Sequence, residues 1–430
     1  MTAPALELRW RRLHPLSPLL RSGKILIALT AAMTPQAISD GTGKFIGWGL
    51  LGLVPLLLGG AVLSWRRTRF GVDGVDLRVE SGVLLHRSRR VPLARIQAID
   101  VVRPLIGRAL GLAELRLEVV GGGKAEAPLA YLREAEAESL RLELLALARG
   151  EAPASAPLGS TPLVTVPAGA LIGSTLLDAR SAMPLVLLLA LFVGVLVLPA
   201  EAVAALTASM LGTAVAAFEV ARRRLAAEWG FSVSDSPDGL VLRHGLTETR
   251  SQTVPEGRVQ GLRVIAPLLW RQRGWVRVEI DVAGYAGGKA ALQTSTLLPV
   301  APRALAEALV ARVLGAVPAV ELGRPPGRAR WLSPLALPVL GVGYDDRFVV
   351  TRTGWLRHDT AVVPLAKVQG FRWHQGPLQR RLRLATLHLD TAGRDIHAVA
   401  LHRDADEARV LLDELSALAR TRRRTASLRG

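Results

Sequence analysis

The 430-residue chain has no cysteine, which excludes disulfides, Cys-type zinc sites and thiol catalysis together. Aromatic residues make up only 4%, too few for the stacking platforms that bind single-stranded nucleic acid. No GxSxG, GxGxxG or HExxH motif occurs, and Gly121–Lys124 does not complete a Walker A loop. The eight histidines are scattered. His388 and Asp390 share one strand face, with His397 and His402 nearby, but metal-ligand spacing is missing. Neither a metal, a cofactor nor catalytic residues are therefore expected, and the chain reads as a non-enzyme.

Acidic residues are the minority: 36 Asp and Glu stand against 54 Lys and Arg, a net charge of +18. Half of the residues are apolar, and the mean hydropathy of +0.30 is high for a soluble domain. Cationic charge combined with apolar bulk points to an anionic membrane surface as partner. Nucleic acid is not an expected partner. At about 150 residues per domain, the length allows about three domains.

Four stretches lack charge. They cover 15 residues between Lys24 and Asp40, 21 between Lys44 and Arg66, 20 between Arg180 and Glu201, and 17 between Glu201 and Glu219. A helix crosses the hydrocarbon layer with about 20 residues, so the second and third are long enough alone. The first contains Pro35 and relies on Lys24 to snorkel. The short separators make two helical hairpins. Arg9, Arg11, Arg12, Arg21 and Lys24 precede the first, Arg66, Arg67 and Arg69 follow it, and Arg222, Arg223 and Arg224 follow the second. This bias puts both termini in the cytoplasm. A basic start before an apolar run also fits a signal peptide. That run starts late, lacks an Ala-x-Ala site and leads straight into another span, so retention is expected. Glu219 sits four residues before Arg223 and reads as an interfacial ion pair, not a proton relay.

The remaining sequence repeats. Stretches starting at Gly82, Gly245 and Gly354 align without gaps, each with Val-Pro-x-x-(Arg/Lys)-(Ile/Val)-Gln ten residues on. The anchors are Val91, Pro92, Arg95, Ile96 and Gln97; Val254, Pro255, Arg258, Val259 and Gln260; and Val363, Pro364, Lys367, Val368 and Gln369. Sixteen residues after each proline comes Arg108, Arg271 or Arg380, and 29 after it Gly121, Gly284 or Gly393. Leu115, Leu117 and Val119 alternate as in a half-buried strand, as do Val276, Val278 and Ile280, and Leu387, Leu389 and Thr391. A helix closes each copy. In the last, Ala408, Leu411, Leu412, Leu415 and Leu418 form an apolar stripe, with Asp404 placed as N-cap. The proline motif reads as a strand edge where no N–H partner is needed.

With Arg12, Leu13, His14 and Pro15 at the entry, and the glycine, proline and terminal-helix pattern in each copy, the chain resembles the bacterial pleckstrin-homology-like (PH-like) membrane proteins of the YdbS/YdbT type. The resemblance implies membrane α-helical hairpins with mixed β/α cytoplasmic modules, PH-like β-barrels each capped by a C-terminal helix, and no established enzymatic activity or settled ligand. Two features depart from the fuller pattern. Residues 316–343 hold only the 12-residue LSPLALPVLGVG, too short for a third hairpin, and Glu256-Gly257 replaces Leu-Ala in the second copy.

The expected organisation is a cytoplasmic segment 1–22, hairpin 23–65, PH-like domain 66–150, linker 151–180, hairpin 181–221, PH-like domain 222–316, linker 317–343, PH-like domain 344–419 and a disordered basic tail 420–430. The residues expected to contact anionic lipid or a partner are Arg95, Arg108, Arg258, Arg271, Lys367, Arg372, Arg380, Arg381 and Arg383. The last five span Lys367 to Arg383 without an intervening acid. The expected role is a scaffold or interaction platform at the inner leaflet of the cell membrane, touching anionic headgroups and possible protein partners in the membrane. The alternative is an accessory subunit of a membrane transport or export complex.

Overall fold

The structure, a computed structural model, describes residues 10–18, 20, 55–56, 59–82, 86–119, 129–148, 162–197, 200–236, 239–282, 296–316, 320–393 and 396–427. Hairpin 23–65 lies outside the described residues except at 55–56 and 59–65.

The chain divides into two units. The first comprises residues 1–159 with 247–252. Its antiparallel sheet runs β1 (Arg11–Arg12), β2 (Arg69–Val72), β3 (Asp76–Ser81) and β4 (Arg87–Pro92). A 3₁₀ turn, Leu93–Arg95, leads into β5 (Ile96–Pro104), short helix α1 (Leu105–Ala109), β6 (Leu112–Val119) and β7 (Leu129–Arg133), and helix α2 (Glu134–Ala148) follows. Phe70 and Leu77 from one sheet meet Leu115, Leu117 and Leu132 from the other, with Leu140 and Leu144 of α2 in the same core. Two small sheets closed by a C-terminal helix are the PH-like arrangement.

Within the segment 1–22, the described residues 10–18 pack onto this core. Leu13 is buried in it, Trp65 Nε1 donates to the Leu13 carbonyl at 2.9 Å, and His14 N–H donates to Tyr131 O at 2.9 Å. The Arg-Leu-His-Pro entry thus fastens the chain start to the first copy.

The second unit repeats the plan. Strand β8 (Pro162–Thr165), helix α3 (Ala168–Leu176) and the long helices α4 (Ala179–Val197) and α5 (Ala200–Glu228) come first. Then follow β9 (Ser232–Ser236), β10 (Gly239–His244), β11 (Glu248–Val254), whose first residues belong to the first unit, a 3₁₀ turn Glu256–Arg258, β12 (Val259–Pro267), α6 (Leu268–Arg271), β13 (Trp275–Val282), β14 (Thr296–Pro302) and α7 (Arg303–Leu314). The last copy has β15 (Gly341–Tyr344), β16 (Phe348–Thr353), β17 (Arg357–Pro364), a 3₁₀ turn Leu365–Lys367, β18 (Val368–His374), α8 (Pro377–Arg381), β19 (Leu384–Thr391), β20 (Ala398–Asp404) and α9 (Ala405–Ser427). Ala408 and Leu415 on α9 are fully buried, and Asp404 caps it by accepting from the N–H groups of Asp406 at 3.0 Å and Glu407 at 3.3 Å.

The repeated motif is a corner. Val91, Val254 and Val363 bury their side chains at the end of one strand, and Ile96, Val259 and Val368 do so at the start of the next. Proline ends or directly follows the first strand, where the ladder needs no donor. A one-turn 3₁₀ helix then carries the chain into the next strand. The glutamine sits at a shift of register in every copy, between Ile96 and Ala98, Val259 and Gly261, and Val368 and Gly370, as a bulge that bends the strand.

Sequence patterns did not foretell how copies join. β12 pairs antiparallel with β17, Leu262 opposite Val362 and Ile265 opposite Asp359. In the first unit β5 pairs in the same way with Glu248–Ser251, Val101 opposite Ser251 and Pro104 opposite Glu248. The register is shared. Leu262 is seven residues after its proline and meets the residue two before the next proline, while Val101 is nine after and meets the residue four before.

Three boundaries need correction. Residues 151–180 are not simply a linker: β8 pairs with β9, and Val164, Val166 and Leu171 enter the second core. In 317–343, Gly323 bridges to Val342, and Ala329 and Leu340 are buried, so the last copy begins before residue 344. Residues 420–427 of the basic tail are helical, not a disordered end. α9 runs through it to Ser427, held where Arg422 Nε donates to Asp346 O at 2.6 Å and its guanidinium pairs with the Asp346 carboxylate.

The absence of native cysteine makes the β12–β17 register directly testable. The double variant V264C/T360C places thiols on facing residues and is expected to form a disulfide on mild oxidation. V264C/D359C, one residue out of register with side chains on opposite faces, is expected to stay reduced on gels run without reductant.

Candidate functional site

Helices α4 and α5 pack along one another and carry an apolar surface. Val186, Leu189, Val193 and Leu196 line α4, and Leu211, Val215 and Phe218 line α5 at helical spacing, all exposed. Val197 at the α4 end is 78% exposed. A contiguous surface of this kind marks a membrane or protein contact. Among the described residues, no helix is long and apolar enough to cross a membrane. Seventeen uncharged residues separate Arg180 from the α4 end, and another 17 lie between Glu201 and Glu219. At about 1.5 Å per residue each covers about 26 Å, short of a hydrocarbon core about 30 Å thick.

The base of α5 is tied to the β-structure. Glu219 accepts from Arg222 and Arg223 at 2.6–2.8 Å, the ion pair its spacing suggested. Arg224 pairs with Asp178 at 2.9 Å and stacks over Trp270, and Glu228 accepts from Arg277 on β13 at 2.6 Å. Trp270, fully buried, donates to Ser174 O on α3 at 3.0 Å.

The nine basic positions fall into equivalent places. Arg95, Arg258 and Lys367 each end a 3₁₀ turn of the corner motif. Arg95 and Arg258 are exposed, whereas Lys367 Nζ is engaged with Gly257 O at 2.7 Å. Arg108, Arg271 and Arg380 lie on the short helices α1, α6 and α8. Arg108 donates to Thr249 Oγ1 at 3.1 Å, and Arg271 is half-buried, against the His358 ring and donating to Trp355 O at 3.2 Å. Arg372 is bound in both directions by Asp390, at 2.6 and 2.7 Å, so its charge is already matched. Arg380, Arg381 and Arg383 are exposed. The nine therefore form no single pocket, and the run Lys367–Arg383 holds two positions already occupied.

Arg383 has φ +53, the left-handed region that L side chains rarely adopt, where the first two copies place Gly111 and Gly274. The bidentate hold of Arg372 on Asp390 also occupies the carboxylate that His388 would need for a metal, and His402 instead meets Gln379 and Ser333 at 3.1 Å. Among the described residues no group of three metal-ligating side chains occurs.

One buried acid was not flagged by the sequence. Asp100, on β5, is 6% exposed, and burial lifts its carboxyl to about 6 although Arg250, Arg116 and Arg141 pull it down. Arg116 is also bonded to Glu114 at 3.3 Å and Glu248 at 3.1 Å, which leaves less of its charge for Asp100.

The bacterial PH domain family matches residues 25–148, 184–317 and 325–419. The chain is also similar to the UPF0699 transmembrane protein YdbT of Bacillus subtilis (strain 168), 28% identical over 139 residues, which are 30% of this chain and 28% of that relative. The alignment thus spans under a third of the relative's length. No solved structure matches the chain.

Two outcomes are expected. Arg383→Gly removes the left-handed penalty and raises the thermal midpoint by an amount equivalent to about 1 kcal/mol. Asp100 holds its proton more tightly folded than unfolded, so it favours folding below its ordinary value of 3.8 and that contribution fades as pH rises to about 6. Asp100→Asn should abolish this loss, so that the unfolding free energies of variant and wild type, read from urea titrations, diverge between pH 4 and 6 by about 3 kcal/mol.

Proposed function

Because the chain belongs to the bacterial PH domain family, we propose that it is a membrane-associated, non-enzymatic scaffold whose PH-like copies stand at the inner leaflet. The observation that carries this reading is the exposed apolar face of α4 and α5, ending at Arg222 and Arg223 and joined to the β-structure through Glu228 and Arg277. A lipid layer satisfies that face, and the arginines at its end suit the anionic headgroup zone. The name of the Bacillus subtilis relative, a transmembrane protein, supports the same assignment.

In this reading, hairpins 23–65 and 181–221 enter from the cytoplasmic side and leave both termini there. The 17-residue uncharged stretches reach across by local thinning of the bilayer and by snorkelling of Arg222. The exposed Arg95, Arg380, Arg381 and Arg383 are then offered to headgroups or to a partner chain. Tethering raises the effective concentration of weak binding surfaces, so each copy needs only modest affinity.

Membrane integration is tested by washing membranes from cells expressing the full chain with alkaline carbonate. The chain is expected in the pellet, and the variant L189R/V193R, with two charges on the α4 face, is expected largely in the supernatant. Extraction of the wild-type chain by carbonate would sink the proposal.

A further inference from the structure

Three arginines and a histidine from distant parts of the second unit gather at one place. Arg271 ends α6, Arg303 begins α7, Arg352 lies on β16 and His358 on β17. The sheet brings them together. Arg352 opposes Thr360, two residues from His358 on the same strand face, and His358 opposes Ala266, next to the end of β12 from which α6 springs. Arg303 is drawn in because its N–H donates to Gly274 O at 3.0 Å, just past α6. Arg271 is fixed by the His358 ring and the Trp355 carbonyl.

The charge at this place is unbalanced. The arginines Arg312, Arg328, Arg372 and Arg422 each face a carboxylate. Among the described residues, the one ion pair of these four is Arg303 with Glu307, both largely exposed. Among the described residues the half-buried Arg352 guanidinium has neither an ion pair nor a hydrogen-bond partner, and its charged neighbour is another cation, Arg303. Burial and the three arginines together hold His358 below its ordinary pKa, so it stays neutral near pH 7 and can take a hydrogen bond from Arg271. Like charges without a counter-charge oppose one another, and a bound anion removes that opposition.

Around the cations, apolar side chains point outward. Leu268 and Leu269 on α6, Leu305 on α7, and Trp355 and Leu356 in the β16–β17 turn are exposed. Pro267 opposes Arg357, which sets Leu268 beside that turn. Gly354 makes the turn possible: it has φ +84, and a Cβ there would lie 2.0 Å from Arg357 O.

We propose that Arg271, Arg303, Arg352 and His358 form a phosphate-binding site, with Leu268, Leu269 and Trp355 at its rim suited to a phosphate carried at an apolar surface, such as a phospholipid headgroup. Guanidinium forks suit phosphate oxygens. The lipid source rests on the membrane-associated reading above, while the phosphate site itself does not.

The test uses the full chain in nonionic detergent, titrated by calorimetry with dihexanoyl phosphatidylglycerol, dihexanoyl phosphatidylcholine and inorganic phosphate. The anionic lipid is expected to bind, with affinity reduced at least tenfold in R303Q/R352Q, partly restored by Arg352→Lys, and unchanged in Arg372→Gln. Thermal midpoints without ligand check folding, and the exposed single variant Arg303→Gln stands in if the double variant unfolds. Tight binding of inorganic phosphate with the same losses also upholds the site and assigns it to a soluble phosphate compound. Binding of neither ligand, equal binding of both lipids, or affinities within twofold of wild type in R303Q/R352Q would overturn it. A chain that carbonate strips from membranes yet binds phosphate leaves this inference standing.

Discussion

Each copy depends on one strand changing sheets at a proline. The valine before it seals one sheet and the isoleucine or valine four residues beyond the proline seals the other, so a single heptapeptide fixes both layers and the gap between them. Buried apolar side chains of this size contribute about 1.5–3 kcal/mol each when removed from water. The one-turn 3₁₀ helix sets the step, and the glutamine bulge sets the bend. In the second copy Glu256-Gly257 stands where Leu93 and Leu365 bury their side chains, yet the turn forms, because the flanking Val254 and Val259 remain buried.

The corner also determines what lies outside the copy. By bending after the glutamine, β12 presents its far edge to β17, and backbone hydrogen bonding continues from one copy into the next. At the opposite end of the second copy, Arg224 holds α5 to Asp178, just past α3, and Glu228 holds it to Arg277 on β13. Long helix, sheet and following copy are thus linked by charged pairs and a strand ladder instead of flexible chain. A force or ligand acting on the α4–α5 face is felt by packed elements, not by a loose tether.

Much of this was legible in the sequence. The alternation of Val276, Val278 and Ile280, the stripe on α9 and the cap at Asp404 are local periodic signals, and local signals survive tertiary context. What escaped were contacts between residues far apart in sequence. Val164, Val166 and Leu171 stand in a short apolar stretch broken by two prolines, and it is pairing of β8 with β9 and packing of α3 that bring them into the second core. The arginines of the tail looked like a solvated charge run because Asp346 lies 76 residues away. For the same reason the nine basic positions gave an uneven picture. Arg271 was visible through its repeat spacing, while Arg303, Arg352 and His358 carry no shared motif and meet only through β12, β16 and β17. Arg372 and Lys367, conversely, looked free in one dimension and are engaged in three.

Within their sheets, β4 and β18 are end strands: among the described residues β4 pairs with β3 alone, and β18 with β19 alone. Both carry arginine, at Arg87, Arg89 and Arg90 on one and Arg372 on the other. Were β18 of one molecule to accept β4 of another in the register seen at β12–β17, Arg372 would stand opposite Arg89. Asp390 already neutralises Arg372, so no bare repulsion meets such a strand; what guards these edges is that charged, solvated side chains on an end strand make it a poor template for further pairing.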